Sequence, residues 1–130
     1  MEVRSLHLWV GLAGVLVFLG TGFYIATHFP VEIEGNDALR QMHSANHTYI
    51  LLGSLINLAV GIYRTGTRPG WRGVCGLVGS ALVLLAPLVL LFAFFSEVGM
   101  AQRPVTMLGV FMLLVGVLAQ WPNRAREAPK

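Results

Sequence analysis

Hydrophobic residues fill four long stretches of this chain, and short segments rich in glycine, proline and charged residues separate them. The stretches predict helices at about residues 5–28, 37–64, 72–96 and 104–121. Each is close to the ~20 residues that a helix needs to cross the ~30 Å hydrocarbon core of a bilayer. The pattern therefore predicts an all-α protein, an integral membrane four-helix bundle, in which residues 1–130 form a single transmembrane domain.

Polar and small residues recur at helical spacing inside the first two apolar stretches. The first stretch carries one every seven residues, on nearly one helix face, and these are His7, Gly14, Thr21 and His28. The second stretch has a stripe at a 4-3-4-3-4 spacing, in which every residue except Ile50 is polar or small, and its members are His43, His47, Ile50, Ser54, Asn57 and Gly61. Ionisable side chains within membrane segments face the protein interior rather than lipid. We therefore expect the two polar stripes to face each other across an antiparallel helix pair.

Composition and charge support a membrane location. Hydrophobic residues make up 55% of the chain and charged residues only 12%, which is typical of a membrane protein. The basic residues that fall on one side of a four-pass topology are Arg4, Arg64, Arg68, Arg72, Arg124, Arg126 and Lys130, against Arg40 and Arg103 on the other. The positive-inside rule then places both termini in the cytoplasm. Topology explains the net charge of +3, so we expect no nucleic-acid partner.

Three histidines fall at one predicted membrane depth, on the outer side. His28 ends the first helix, and His43 and His47 lie four residues apart on one face at the start of the second. Imidazole binds copper, zinc, iron and nickel, and such a pair with a third histidine from another element is a common metal site. The spacing therefore predicts a metal site formed by these three residues. The groups expected to orient the imidazoles or to pass protons are Tyr24, Tyr49, Glu32 and Glu34.

Haem b is the alternative to a bare copper ion. Membrane cytochromes hold haem between helices through axial histidines, and small residues beside the ring make room for it. The glycines expected to give this space are Gly20, Gly22 and Gly53. His28 with His43 or His47 is the expected axial pair, and His7 would ligate a second centre near the inner side. The residues predicted to bind haem are therefore His7, His28 and His47.

Two segments in the first half of the chain carry a recognisable pattern. They are "LHLWVGLAGVLVFLGTGFYIATHFP", with an LH start, a TG-x-Y turn and a following histidine, and "HSANHTYILLGSLINLAVGIY", with H-x-Y and N-L-x-x-G-x-Y. This half resembles a group of small four-helix bacterial membrane proteins of uncertain function. The resemblance covers His7, Thr21, Gly22, Tyr24, His28, His47, Tyr49, Asn57, Gly61 and Tyr63. It implies the fold and a location in a bacterial cytoplasmic membrane but no particular activity, and His43 departs from the pattern of the group.

These observations predict a membrane metalloprotein that binds haem b, copper or both near its outer face. Electron transfer or oxygen-related redox chemistry is the expected function, and an oxidoreductase activity stays open. A non-catalytic accessory or structural membrane subunit would have the same hydrophobicity, and a small transporter would need several copies to enclose a path. The expected partners are the lipid bilayer, a second copy in a homodimer, and a membrane quinone or another respiratory component.

Overall fold

The computed structural model describes residues 2–29, 37–63, 69–97 and 102–121. The described residues form four α-helices, which are α1 (Val3–His28), α2 (Asp37–Tyr63), α3 (Trp71–Ser96) and α4 (Pro104–Gln120). Each helix begins and ends within two residues of the position expected from the apolar stretches. The predicted four-helix, all-α fold is therefore confirmed.

Three of the helices have the length and composition of membrane spans. α1, α2 and α3 are long and apolar enough to cross a bilayer, whereas α4 is a shorter apolar helix of 17 residues. At ~1.5 Å per residue, the 26 residues of α1 and of α3 extend about 39 Å, and α4 extends about 26 Å. Large apolar side chains, among them Phe23, Leu88 and Phe111, are exposed on the outside of the bundle. These features are typical of a multi-pass membrane protein.

The four helices pack in chain order, each antiparallel to the one before. α1 packs mainly on α2, α4 packs mainly on α3, and α2 joins the two hairpins by packing on α3. The apolar core consists of Ile50, Val83, Ala86, Leu90, Phe94 and Leu113, which come from α2, α3 and α4. We call the end of the bundle where α1 and α3 finish the outer end, and the opposite end the inner end.

Glycines allow the closest helix contacts. A Cβ atom at Gly11 of α1 would lie 2.9 Å from the backbone nitrogen of Leu58 on α2, and one at Gly79 of α3 would lie 2.6 Å from the carbonyl oxygen of Gly116 on α4. Real Cβ atoms do not approach backbone atoms so closely, so only glycine permits these helix separations. These glycines thus let α1 pack closely against α2 and α3 against α4.

Candidate functional site

The polar stripes of α1 and α2 face each other, as their spacing predicts. The pairs in contact are His7 with Asn57, Gly14 with Ser54, and Thr21 with His47. The α1 stripe is buried as far as Thr21, whereas its last member, His28, is exposed at the outer end. The histidines of the two stripes therefore lie in different surroundings, and each one defines a separate part of the candidate site.

His7 is bonded to α2 and, through α2, to α3. Its Nδ1 lies 2.8 Å from Oδ1 of Asn57, and both residues are 0% exposed. The Nδ2 of Asn57 donates to the carbonyl oxygens of Gly53 and Val83, at 3.0 and 2.8 Å. Because Nδ2 is the donor of this amide, Oδ1 is the acceptor, so His7 donates its Nδ1–H. The predicted second-centre residue is thus a hydrogen-bond donor that joins α1 to α2.

His47 is held on α1 by Thr21 in a similar way. The Nδ1 of His47 lies 2.9 Å from Oγ1 of Thr21, whose own proton is directed at the carbonyl oxygens of Val17 and Phe18, both at 3.0 Å. Oγ1 of Thr21 therefore accepts the Nδ1–H of His47, and the lone pair of the neutral imidazole is on Nε2. The ring of Phe18 stacks on the imidazole with centroids 3.9 Å apart.

His28 also donates from Nδ1 to oxygens of its own helix. The Nδ1 lies 3.1 Å from the carbonyl oxygen of Tyr24 and 2.9 Å from Oγ1 of Thr27. The hydroxyl of Thr27 donates to the carbonyl oxygens of Phe23 and Tyr24, so it acts as an acceptor toward His28. The imidazole stacks on the ring of Tyr24 at 4.2 Å and is exposed. Its neutral form again carries the lone pair on Nε2.

His43 lies among aromatic rings at the outer end and is only 7% exposed. Phe29 stacks on the imidazole at 4.8 Å, Phe94 of α3 lies at 4.9 Å, and the edge of Tyr24 lies at 6.4 Å. The Nδ1 of His43 is buried and makes no hydrogen bond within the described residues. This imidazole therefore differs from the other three, whose Nδ1 atoms are all bonded to oxygen.

The three outer histidines, His28, His43 and His47, do not converge as the spacing predicted. The three rings do not share one depth, because His47 is level with Thr21 whereas His28 lies seven residues, about 10 Å, further along α1. His43 packs between Phe29 and Phe94, whereas His47 stacks on Phe18. In the part of the chain that the structure describes, no group of three or more His, Cys, Asp or Glu side chains is arranged to hold a metal ion. The predicted three-histidine site is thus not formed by these residues alone.

Of the four groups expected to orient the imidazoles, the structure describes two. Tyr24 contacts His28 as expected, and Tyr49 packs against the apolar core. Glu32 and Glu34 lie outside the described residues.

The packing leaves a haem ring little room at the glycines expected to cradle it. A Cβ atom at Gly22 would lie 3.0 Å from Cε1 of His47, and one at Gly53 would lie 3.4 Å from Cγ of Pro87, whereas Gly20 faces open space. A haem ring therefore does not fit between α1 and α2 at Gly22, or between α2 and α3 at Gly53, as these helices pack.

Sequence reasoning missed a second polar cluster, which lies at the outer end between α2, α3 and α4. Glu97, directly after α3, is 7% exposed and accepts hydrogen bonds from the backbone N–H groups of Val105 at 2.6 Å and Thr106 at 3.2 Å, and from the Thr106 hydroxyl. The N-cap residue Arg103 makes no side-chain cap, so this carboxylate satisfies the free N–H groups at the start of α4. The signal in the sequence was a glutamate seven residues before Pro104, a residue that commonly begins a helix.

Asn46 and Arg103 extend this cluster to α2. The Nη2 of Arg103 donates to Oδ1 of Asn46 at 2.7 Å and to the carbonyl oxygen of Met42 at 3.2 Å. The Nδ2 of Asn46 donates to the carbonyl oxygen of Ala93 on α3 at 3.3 Å, and its Oδ1 lies 3.1 Å from the hydroxyl of Thr106 on α4. Asn46 thus connects α2 to both helices of the second hairpin.

Comparisons with protein-family models, with curated proteins and with solved structures find no match. A functional assignment therefore depends on the chemistry of the residues described above.

Proposed function

We propose that the protein is a multi-pass protein of the bacterial cytoplasmic membrane whose outer histidines bind a redox-active metal, copper or haem b, for electron transfer. The observation that supports this proposal is the hydrogen bonding of His28 and His47, each of which donates Nδ1–H to an oxygen of α1. Histidines that bind metals characteristically make this bond, because it orients the ring and raises the basicity of the other nitrogen. Nε2 of each residue would be the ligand atom, and because the two rings do not converge, each would need further donors to complete a metal site of its own.

Copper suits the helix packing better than haem b. A copper ion needs only ligand atoms, and imidazole nitrogen is one of its preferred ligands. Haem would need α1 and α2 to separate where Gly22 and His47 are now in contact. We therefore favour copper, because haem b could bind only if α1 and α2 were rearranged.

A second copy of the chain is the proposed source of further ligands. His28 is exposed at the outer end, so its Nε2 is accessible to a metal ion shared between two protomers. The acidic loop residues Glu32 and Glu34 are the other expected oxygen donors. A metal held there would exchange single electrons with a membrane quinol or with another respiratory component, which are the proposed partners.

A non-catalytic accessory subunit is the second candidate, and the use of histidines in helix contacts favours it. His7 donates to Asn57 and His47 donates to Thr21, so both histidines join α1 to α2. Hydrogen bonds between membrane helices stabilise the fold without any metal. In this function the exposed apolar face of α1 would pack on a larger membrane complex.

The visible spectrum and the metal content of the purified protein separate the two candidates. The protein should be expressed in cells supplied with copper and haem precursor, purified in detergent and analysed for both cofactors in the same sample. A redox protein will contain copper or show a Soret band, and the signal will respond to dithionite and ferricyanide. A colourless, metal-free protein would overturn the proposal and favour the accessory subunit.

Three variants test the role of His47 in the redox protein. His47→Asn keeps an amide donor near the position of Nδ1 and removes Nε2, so the fold should survive while the metal content falls. Thr21→Val removes the hydrogen bond to His47 and should lower metal affinity about 10- to 100-fold, as for other groups that orient ligands. Thr48→Val is the matched control, because the Thr48 hydroxyl is exposed and bonds only to its own helix. Wild-type metal content in His47→Asn would exclude this residue as a ligand.

A further inference from the structure

Pro87 interrupts the backbone hydrogen bonding in the middle of α3. Proline has no N–H group, so the carbonyl four residues earlier, that of Val83, loses its partner within the helix. Val83 is 0% exposed, and α3 continues as a helix on both sides of the proline, from Trp71 to Ser96. A buried carbonyl without a partner is costly, so another group must donate to it.

Asn57 of α2 is that donor. Its Nδ2 lies 2.8 Å from the carbonyl oxygen of Val83, so a side chain of the neighbouring helix replaces the backbone bond that Pro87 removes. His7 bonds to the other side of the same amide, where Oδ1 of Asn57 faces α1 and accepts the Nδ1–H of His7. In this orientation Nδ2 faces α3. The three residues His7, Asn57 and Val83 thus connect α1, α2 and α3 at one level.

A second asparagine of α2 holds α3 on the other side of the proline. Asn46 lies eleven residues before Asn57, about three helical turns away, and donates to the carbonyl oxygen of Ala93 at 3.3 Å. The two halves of α3 therefore have separate polar attachments to α2. Val83 lies in the inner half, Ala93 lies in the outer half, and Pro87 lies between them.

We infer that α3 is hinged at Pro87 and that Asn57 is the latch that fixes the inner half of α3 against the α1–α2 hairpin. Helices bend most readily where a proline removes a backbone bond, so the Asn57–Val83 bond is the interaction that opposes bending. The inner half of α4 moves with the inner half of α3, because Gly79 and Gly116 are in backbone contact. This hinge does not depend on whether the histidines bind metal.

Spin labels on the two halves of α3 test the hinge. The chain has a single cysteine, Cys75, on the inner half of α3, and a label there pairs with one at an introduced cysteine, Tyr63→Cys, at the inner end of α2. An outer pair, Thr48→Cys with Phe92→Cys in a Cys75→Ser background, reports the other half. Pulsed electron paramagnetic resonance gives the distance distribution of each pair in the full-length protein.

Asn57→Leu should broaden the distance distribution of the inner pair and leave that of the outer pair unchanged. The population in which the inner half of α3 is detached from α2, relative to the attached population, should rise about 3- to 18-fold. These factors correspond to the average and to the strongest measured hydrogen bonds between membrane helices. Adding Pro87→Ala should restore the narrow distribution, because alanine at this position donates its own N–H to Val83. The control Ser54→Ala should change nothing, because this hydroxyl donates to Ile50 of its own helix.

Three outcomes would contradict the latch. The first is an unchanged distance distribution of the inner pair in Asn57→Leu, and the second is equal broadening of the distributions of both pairs. The third is a double variant whose inner distribution stays as broad as that of Asn57→Leu. Asn57→Leu also removes the acceptor of the His7 Nδ1–H, so if it does not fold, His7→Phe/Asn57→Leu is compared with and without Pro87→Ala. Recovery of a folded protein with a narrow inner distribution supports the latch, and failure to recover overturns it.

Discussion

Gly11→Ala and Gly20→Ala are a matched pair of substitutions that test how closely α1 and α2 pack. A Cβ atom at Gly11 would lie 2.7 Å from Cγ of Leu58 and 2.9 Å from its backbone nitrogen, whereas one at Gly20 would have nothing within 4 Å. Both glycines lie within α1, so the substitutions change helix propensity alike. The difference between the two variants therefore isolates the contact with α2.

The expected magnitude follows from two opposing effects. Alanine favours a helix over glycine by about 0.5–1 kcal/mol, which should raise the free energy of unfolding of Gly20→Ala by that amount. Overpacking costs about 1–3 kcal/mol, because the backbone of Leu58 moves only if α2 moves. Gly11→Ala should therefore lose up to about 2.5 kcal/mol, and the two variants should differ by about 1–3 kcal/mol.

Unfolding by increasing SDS in mixed micelles, followed by tryptophan fluorescence and near-ultraviolet circular dichroism, gives both free energies on one scale. The wild-type protein is the common reference. Equal stability of the two variants, or greater stability of Gly11→Ala, would refute the close packing of α1 on α2. The Thr21–His47 and His7–Asn57 hydrogen bonds would then be refuted as well, since both form only at this helix separation.

Two further predictions concern topology and the cap of α4. Cysteines are introduced at Glu34 and at Thr67 in a Cys75→Ser background and treated with an impermeant thiol reagent in intact cells. We expect labelling at position 34 and not at position 67, and the reverse result would contradict cytoplasmic termini. Glu97→Gln should lower the free energy of unfolding by about 1–2 kcal/mol, because a neutral amide replaces a charged acceptor at the N-terminus of α4. Glu2→Gln is its control, since Glu2 makes no side-chain cap on α1, and an equal loss in both variants would show that the Glu97 contacts contribute nothing.

The helices and their main contact were predictable from the sequence for a physical reason. The thickness of a bilayer sets the length of an apolar stretch, and buried polar groups must share one helix face. These two rules were sufficient to predict the facing stripes, including the contacts of His7 and His47 with α2 and α1. They also predict that Asn57 bonds to another helix, and its bond to Val83 confirms this.

The direction of each side chain could not be read from spacing. His43 and His47 share a helix face by sequence, yet the first ring packs between Phe29 and Phe94 of α3, whereas the second stacks on Phe18 of α1. This face of α2 contacts both α1 and α3, and the position of α3 decides which side chains contact which helix. The capping role of Glu97 was missed for a related reason, because its partners belong to a helix that begins only after the next loop. Tertiary register, rather than helix pattern, decides these contacts.

Structural and chemical functions of the histidines use different atoms of the same ring. Membrane helices gain little from apolar attraction to one another, so small residues and hydrogen bonds determine which helices pair. In this protein the Nδ1–H groups of His7 and His47 provide two of those bonds between α1 and α2. A metal ion would use Nε2 of His47 and leave its Nδ1 bond in place. Replacement of a whole imidazole by alanine removes both atoms, and its effect would not distinguish a lost ligand from a loosened helix pair. A substitution that keeps a donor near the position of Nδ1 does distinguish them, because it leaves the α1–α2 contact intact and removes only the atom that a metal needs.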